Sequence, residues 1–285
     1  MTAMSIDEAQ AILADPNLIA VGVRGDAARR RRHGARTTFA RVLEVHTDAV
    51  PAVLPSSASA GELRVTGKPA SVEAAVASIA AARALAGATP LSAFALDDLL
   101  DLAGGNLPGL TALVARLAGA GLDIVADVAI DRLQDPAGAI RAARAGGVEL
   151  SRLTVHAITT ADPLRCVTIA RDIQASLGGV RAFAPLPRVG SMTQPSTGYD
   201  DVKLVAVARL LADDIESIQV DWALYGPKLA QVALTMGADD VDGVSALEGD
   251  LGRRRSPLEE VRGNITAAGF EPIERDGRFQ SRAGS

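Results

Sequence analysis

Short runs of β-branched and apolar residues alternate with longer segments of helical period from about residue 37 onward. Eight of these runs fit buried strands, at residues 37–46, 62–66, 91–95, 123–128, 153–158, 180–184, 218–224 and 240–244. Strands that alternate one by one with helices are typical of a parallel sheet covered by helices. No Pro- and Gly-rich linker divides the series. The alternation therefore predicts an α/β fold, a single (β/α) TIM-type barrel.

The connection between the first two strands is unusual for such a barrel. Residues 50–61 are too few and too rich in Pro and Ser for a regular crossover helix. We therefore expect the barrel to be open or distorted between strands one and two. The chain then divides into an N-terminal helical cap at residues 1–36, the barrel at residues 37–250, and a C-terminal helix and tail at residues 251–285.

Composition and charge narrow the classes of partner. The formal net charge is −5, which argues against general nucleic-acid binding through phosphate neutralisation. Five Phe, two Tyr and one Trp are too few for a surface on which several bases stack. No apolar run approaches the roughly 20 residues of a membrane span, and the N-terminus lacks the pattern of a signal peptide. We expect a cytoplasmic protein that binds neither nucleic acid nor membranes.

Six segments occur in an order and spacing that are typical of one enzyme family. The most specific is GPKLAQVALTMGADDVDGV at residues 226–244. The others are RRHGARTTF at 31–39, AFALDDLLDLAG at 93–104, AGLD at 120–123, FAPLP at 183–187 and GYDDVKLVAVARLLADDI at 198–215. Together they resemble the aminofutalosine synthase, dehypoxanthine futalosine cyclase and deazaflavin (FO) synthase group of radical S-adenosylmethionine enzymes. The resemblance is greatest to the two members of the futalosine route to menaquinone.

The chain departs from this family at the cluster-binding residues. In the family, three cysteines after the first strand hold a [4Fe–4S] cluster, whereas Cys166 is the only cysteine here. The corresponding positions fall near Val50, Leu54 and Ser57, none of which carries a thiolate. The Gly-rich segment that usually carries a Glu in the family corresponds to VADVAID at residues 125–131. We therefore expect no [4Fe–4S] cluster, no radical chemistry and no other cofactor, and binding of S-adenosylmethionine has no support in these residues.

Polar residues follow most of the predicted strands, where the active sites of such barrels lie. His46, Asp48 and His156 are the candidate acid–base residues, because an imidazole exchanges protons near neutral pH. The candidate substrate-binding residues are Lys68, Asp97, Asp127, Arg188, Asp221 and Asp242. Their convergence would form a charged, concave site for a polar small molecule. A structural, hydrogen-bonded role is the alternative for each histidine, and no local ligand spacing supports a metal.

Other charged or reactive residues have simpler interpretations. Cys166 lies among apolar residues of a predicted helix, which favours a packed core thiol over a nucleophile. The basic run at residues 29–32 is expected to be solvated surface, with an acidic partner as the alternative. Asp239 and Asp240 are expected to cap or turn the chain rather than bind a divalent cation.

Several functions stay open on this evidence. The first is a cluster-lacking homologue that binds a futalosine-like or related small molecule, or that serves as an accessory subunit to an active, cluster-bearing relative. The second is a non-radical acid–base enzyme, a lyase, hydrolase or isomerase, acting on such a metabolite. The third is a structural partner. A protein partner, whether that relative or a second copy of this chain, would cover Val53 and Leu54 in the segment at residues 51–61.

Overall fold

The computed structural model describes residues 4–55, 58–158, 162–189, 198–247 and 257–282. The chain forms two compact units. Unit 1 comprises Met1–Phe39, Leu153–Gly243 and Glu259–Ile273, and unit 2 comprises Ala40–Arg152, Val244–Leu258 and Glu274–Ser285.

Helices and strands alternate along the described residues. The helices are α1 (Ile6–Ala14), α2 (Leu18–His33), α3 (Val72–Ala86), α4 (Leu96–Leu102), α5 (Leu107–Gly119), α6 (Pro136–Ala145), α7 (Arg165–Leu177), α8 (Gly198–Leu211), α9 (Trp222–Thr235) and α10 (Pro257–Ala267). The strands are β1 (Arg36–His46), β2 (Glu62–Thr66), β3 (Leu91–Ala95), β4 (Ile124–Ala129), β5 (Glu149–Leu150), β6 (Arg152–Val155), β7 (Ala182–Pro187), β8 (Ser217–Asp221), β9 (Asp240–Ser245) and β10 (Glu271–Arg275).

The parallel strands of unit 2 follow the order β1-β2-β3-β4. The expectation that the barrel is open or distorted between the first two strands is wrong. These strands pair in parallel over five positions, from Val42 opposite Glu62 to His46 opposite Thr66. The pairing covers the whole length of β2, although no helix stands between the two strands among the described residues.

The strands of unit 1 follow the order β6-β7-β8-β9, and the first residues of β1 join β9 within the same unit. The Thr38 amide, for example, donates to the Asp239 carbonyl at 2.9 Å. The first residues of β1 thus pair with β9, and its last residues pair with β2. This strand order confirms the α/β fold with a TIM-type barrel of eight parallel strands. The short strands β5 and β10 are additions that the sequence pattern did not predict.

Helix boundaries follow from capping residues in the sequence. Ser5 and Glu8 form a reciprocal capping box at the start of α1. Asn17, Ser71 and Asn106 each accept a backbone hydrogen bond at the first turn of the next helix. Among the helices in the described part of the chain, none is both long enough and apolar enough to span a membrane.

Both units have cores of aliphatic side chains, as the scarcity of aromatic residues requires. In unit 2, Ile79 of α3, Leu91 of β3 and Leu110 of α5 are fully buried. In unit 1, α2 and α9 pack so closely that a methyl group on Gly25 would lie 2.0 Å from the Met236 carbonyl oxygen. Cys166 of α7 is buried with Val167, in agreement with a packed core thiol.

Candidate functional site

His46 and Asp48 lie together where β1 ends in unit 2. The His46 Nδ1 is 3.7 Å from the Asp48 carboxylate and accepts a hydrogen bond from the Asp48 amide at 3.3 Å. Both side chains are more than half exposed. The other edge of the imidazole packs against Gly67, so closely that a Cβ on that glycine would lie only 2.5 Å from His46 Nε2. Gly67, which has a φ of 91°, therefore leaves the space that the ring occupies.

Lys68 follows this glycine and is held by α4. Its ammonium donates to Asp101 at 3.0 Å and lies 3.1 Å from the Asp98 carboxylate. The hydrogen bonds to Asp101 and Asp98 raise the pKa of Lys68 above its usual value. Lys68 is therefore a fixed positive charge at the end of β2.

Asp97 is the buried carboxylate among the candidate residues of unit 2. It stands at the start of α4, directly after β3, and its Oδ2 is 2.8 Å from the Nε of Arg132. Its Oδ1 is buried and has no hydrogen-bond partner among the described residues. Burial raises the pKa of Asp97, and the neighbouring Arg132 only partly opposes this effect.

Asp127 of β4 is drawn into a group of charged residues that strand-end reasoning did not predict. The Arg152 Nε donates to Asp127 at 2.7 Å, and the arginine is almost fully buried. On β2, Arg64 Nη2 is 2.7 Å from the buried Glu62 carboxylate, which also accepts a hydrogen bond from the Ser92 hydroxyl. These five polar side chains, from four strands, form the buried charge cluster of unit 2.

The signal for this cluster was present in the sequence. Glu62 and Arg64 are separated by one residue in ELRVT, so they share one face of the strand. In a barrel both faces of a strand are buried, and two charges on one face therefore indicate a polar interior. The sequence analysis searched for polar residues after the strands, and it missed these two because Glu62 begins its strand and Arg64 is at its centre.

In unit 1, Arg188 and Asp221 are brought together. Arg188 Nη1 is 3.4 Å from Asp221 Oδ2, while Asp221 Oδ1 accepts a hydrogen bond from the Leu224 amide and caps α9. The Tyr225 hydroxyl donates to the Pro187 carbonyl. Burial, with additional repulsion from nearby carboxylates, raises the pKa of Tyr225, which therefore stays neutral and acts as a hydrogen-bond donor. Sequence reasoning did not select Tyr225.

The two remaining candidates of unit 1 occupy different environments. Asp242 is buried on β9, in register with Asp221 of β8. His156 is half-buried at the end of β6, and its carbonyl accepts a hydrogen bond from the Val189 amide at 2.9 Å. The structure thus places His156, Arg188 and Asp221 at the ends of β6, β7 and β8, whereas Asp242 lies within β9 and not after it as the sequence had predicted.

The residues present do not fit a [4Fe–4S] cluster. Val50 and Leu54 have apolar side chains, Ser57 lies outside the described residues, and none of the three carries a thiolate. Cys166 is buried in α7 of unit 1. Within the described ranges, no group of three or more His, Cys, Asp or Glu side chains is arranged to hold a metal ion.

Comparisons with known proteins find similarities over parts of the chain. The family model of the CofH/MqnC C-terminal region matches residues 182–284. Over 133 residues the chain is 34% identical to the aminodeoxyfutalosine synthase of Streptomyces coelicolor. This alignment covers 39% of this chain and 34% of that protein. Over 201 residues it is 30% identical to the 5-amino-6-(D-ribitylamino)uracil–L-tyrosine 4-hydroxyphenyl transferase of Haloarcula marismortui. This alignment covers 59% of this chain and 44% of that protein. These alignments span less than half the length of the relatives.

Solved structures share the fold at low sequence identity. Methylornithine synthase (PylB) has a TM-score of 0.64 at 14% identity over 95% of this chain and 94% of that one. The FeFe-hydrogenase maturase HydG from Carboxydothermus hydrogenoformans also has a TM-score of 0.64, at 12% identity over 95% of this chain and 76% of that one. By the family model and the sequence relatives, the chain is similar over part of its length to the CofH/MqnC C-terminal region, to an aminodeoxyfutalosine synthase and to a 5-amino-6-(D-ribitylamino)uracil–L-tyrosine 4-hydroxyphenyl transferase.

Proposed function

We propose that this chain binds a polar, hydroxyl-bearing small molecule of the futalosine or ribityl type at the strand ends of unit 2, without a [4Fe–4S] cluster. The observation that carries the proposal is the buried Oδ1 of Asp97, which has no hydrogen-bond partner among the described residues. The names of two relatives, an aminodeoxyfutalosine synthase and a transferase of a ribitylamino-uracil, indicate the ligand class.

A ligand would satisfy the unmet hydrogen bond of Asp97. A buried acceptor without a donor is destabilising by about 1–3 kcal/mol, and a ligand hydroxyl or amine removes that penalty. Arg132 is half-exposed and holds Oδ2, so the carboxylate keeps a fixed orientation while Oδ1 accepts from the ligand. Ligands with several hydroxyl groups supply such donors.

The donor set supports the proposed absence of a cluster. Three thiolates hold the iron–sulfur cluster in radical S-adenosylmethionine enzymes of this family, and this sequence contains one cysteine. Anaerobic reconstitution with iron and sulfide is therefore expected to yield no stoichiometric cluster. Iron near four atoms per chain, together with a cluster absorbance band, would contradict this part of the proposal.

Binding is tested by calorimetry with aminodeoxyfutalosine, dehypoxanthine futalosine, 5-amino-6-(D-ribitylamino)uracil and S-adenosylmethionine as separate probes. We expect at least one of the first three to bind, and Asp97→Asn to weaken it about tenfold or more. Glu73→Gln is the matched control, because this carboxylate of unit 2 is 79% exposed. The proposal fails if none of the three binds, or if both variants bind as the wild type does.

The geometry of His46 favours a second candidate function, non-radical acid–base catalysis on the bound metabolite. Its Nδ1 accepts a backbone hydrogen bond, which places the proton of the neutral ring on Nε2, and the Asp48 carboxylate lies 3.7 Å from Nδ1. Conversion of a bound probe by the wild type, with loss of turnover but retained binding in His46→Gln, would support this function. Binding without any conversion would leave the chain a binder.

An accessory role is a further part of the proposal. Val53, in the segment that replaces the cluster loop, is 77% exposed, whereas Leu54 is half-buried. A cluster-bearing relative, or a second copy of the chain, would cover this valine. Co-expression with the host's aminodeoxyfutalosine synthase, followed by size-exclusion chromatography, tests the role. A Val53→Asp variant is expected to lose any complex that forms, and recovery of a monomer alone in the wild type would exclude the role.

A further inference from the structure

A surface cavity of about 470 Å³ lies in unit 1 among α1, α2, α7 and α8. The helices α1 and α2 both pack on α8, and α7 contributes Arg171 to the wall. Ala27, Ala28 and Leu211 form apolar parts of the lining. A cavity of this size matches the volumes of small-molecule sites. The proposed binding site of Asp97, by contrast, belongs to unit 2.

The basic run at residues 29–32 contributes to this cavity in a way that the sequence did not predict. Arg29 is fully buried and donates to the carbonyls of Ala238 and Arg36, so the expectation of a wholly solvated run is wrong. Arg30 pairs with Asp26 on the surface. Arg31 lines the cavity, and the Arg32 guanidinium donates to the Asp213 carbonyl at its edge.

Three guanidinium groups surround the cavity. Arg24 and Arg31 are two turns apart on α2, about 10 Å along the helix axis, and therefore share one face. Neither of these two forms an ion pair within the part of the chain that the structure describes. Arg171 pairs with its neighbour Asp172 at 3.0 Å and is 30% exposed. Guanidinium forks of this kind bind phosphate and carboxylate groups in a bidentate manner.

Acidic residues line the same cavity. Glu8 completes the capping box of α1, and its Oε2 accepts from the Ser5 amide at 2.8 Å. The other two carboxylates belong to Asp213 and Asp214, which follow α8. The Arg32 guanidinium donates to the Asp213 carbonyl, and Gln174 Nε2 donates to the Asp214 carbonyl at 3.1 Å, so both backbone groups are held in place. Three carboxylates would repel a simple polyanion, and they accept hydrogen bonds from hydroxyl groups. The lining thus fits a molecule that has one anionic group and several donors.

We propose that this cavity binds a sugar phosphate, whose phosphate contacts Arg24, Arg31 and Arg171 and whose hydroxyls donate to the carboxylates of Glu8, Asp213 and Asp214. The phosphate supplies the carboxylate-like acceptor that Arg24 and Arg31 do not have within the described residues, and Arg171 adds a third positive charge beside its pair with Asp172. The apolar floor of alanines accommodates the carbon face of the sugar. This site would act independently of ligand binding in unit 2.

Calorimetry with ribose 5-phosphate as the probe tests the proposal. We expect the wild type to bind it at least tenfold more tightly than ribose or inorganic phosphate, because only the whole molecule contacts both the guanidiniums and the carboxylates. Arg24→Gln and Arg31→Gln should each weaken binding about tenfold or more. Arg30→Gln is the matched control, since it removes the same charge from the same helix outside the cavity, and Asp97→Asn should leave this affinity unchanged.

Each result decides the proposal. Absence of binding at millimolar ribose 5-phosphate overturns it, as does equal affinity for inorganic phosphate or an equal loss in Arg30→Gln. Thermal unfolding of each variant without ligand separates loss of fold from loss of binding. If one cavity variant does not fold, the other carries the test. Because the probe and the variants differ from those used for unit 2, failure here leaves the proposed function standing, and the reverse also holds.

Discussion

Glu62 and Arg64, two residues apart on β2, form an ion pair in which both side chains are almost excluded from solvent. Arg64 Nε donates to Glu62 Oε1 at 2.8 Å, and Nη2 lies 2.7 Å from the same oxygen. Burial disfavours the carboxylate, but the charge of Arg64 and the Ser92 hydroxyl outweigh burial and lower the pKa of Glu62. The buried charge cluster of unit 2 therefore depends on a glutamate that stays ionised.

Removal of this charge should destabilise the protein strongly. Glu62→Gln leaves the Arg64 guanidinium buried beside a neutral amide, and breaking a buried pair in this way lowers the free energy of unfolding by about 3–5 kcal/mol. Glu44→Gln is the control, because Glu44 lies 4.0 Å from Arg64 but is 55% exposed, and its loss should change stability by less than about 0.5 kcal/mol. Urea unfolding measures both, and similar values for the two variants would contradict the prediction.

The same pair should make stability depend on pH in acid. A carboxyl whose folded-state pKa is lowered contributes stability that is fully present above its unfolded value of 4.5, and this contribution is lost as the pH falls through the folded-state pKa. The difference in unfolding free energy between wild type and Glu62→Gln should therefore shrink below pH 4.5. A difference that stays constant from pH 7 into this range would show that Glu62 is not ionised in the folded protein.

Asp97 should show the opposite dependence. Burial raises the pKa of Asp97 above its ordinary value of 3.8, so the folded protein binds the proton more tightly than the unfolded chain does. The free energy of unfolding therefore falls as the pH rises from 3.8 through the folded-state pKa. Asp97→Asn removes the ionised form and should raise the free energy of unfolding at pH 7 by about 1 kcal/mol, with a smaller gain at pH 3. Denaturant unfolding at both pH values measures the effect, and a loss of stability at pH 7 would mean that the ion pair with Arg132 outweighs burial.

Sequence patterns predicted the framework better than the buried polar interactions. The eight barrel strands follow from apolar runs, whereas residues 222–224, predicted as the end of a strand, begin α9 because Asp221 caps the helix. Asp97 was identified from its place after β3, but its burial depends on packing that a linear pattern does not contain. Ser92, the partner of Glu62, is 30 residues away along the chain, and Arg152, the partner of Asp127, is 25 residues away.

Asp221 is expected to stabilise unit 1 mainly as a helix cap. Asp221→Ala removes the acceptor for the Leu224 amide and the partner of Arg188, and should lower the free energy of unfolding by about 1–2 kcal/mol. Asp221→Asn keeps a side-chain oxygen at the cap and loses only the charge. Thermal unfolding should therefore place Asp221→Asn between the alanine variant and the wild type. Equal losses in both variants would assign the whole effect to the ion pair.

Two glycines of α2 should respond differently to the same substitution. Alanine is preferred to glycine inside a helix by up to about 1 kcal/mol, so without other contacts both changes would stabilise the protein. A Cβ on Gly25 would lie 2.0 Å from the Met236 carbonyl oxygen, which belongs to backbone and cannot move without separating α2 from the end of α9. Gly25→Ala should therefore destabilise the protein by about 1–3 kcal/mol or more.

A Cβ on Gly22 would instead meet the Sδ of Met236 at 2.7 Å. This atom is at the flexible end of a side chain, which can change rotamer, so Gly22→Ala should leave the free energy of unfolding within about 1 kcal/mol of the wild type. Urea unfolding of both variants provides the comparison. If Gly25→Ala is no less stable than Gly22→Ala, the close approach of the α2 backbone to Met236 is not present in solution.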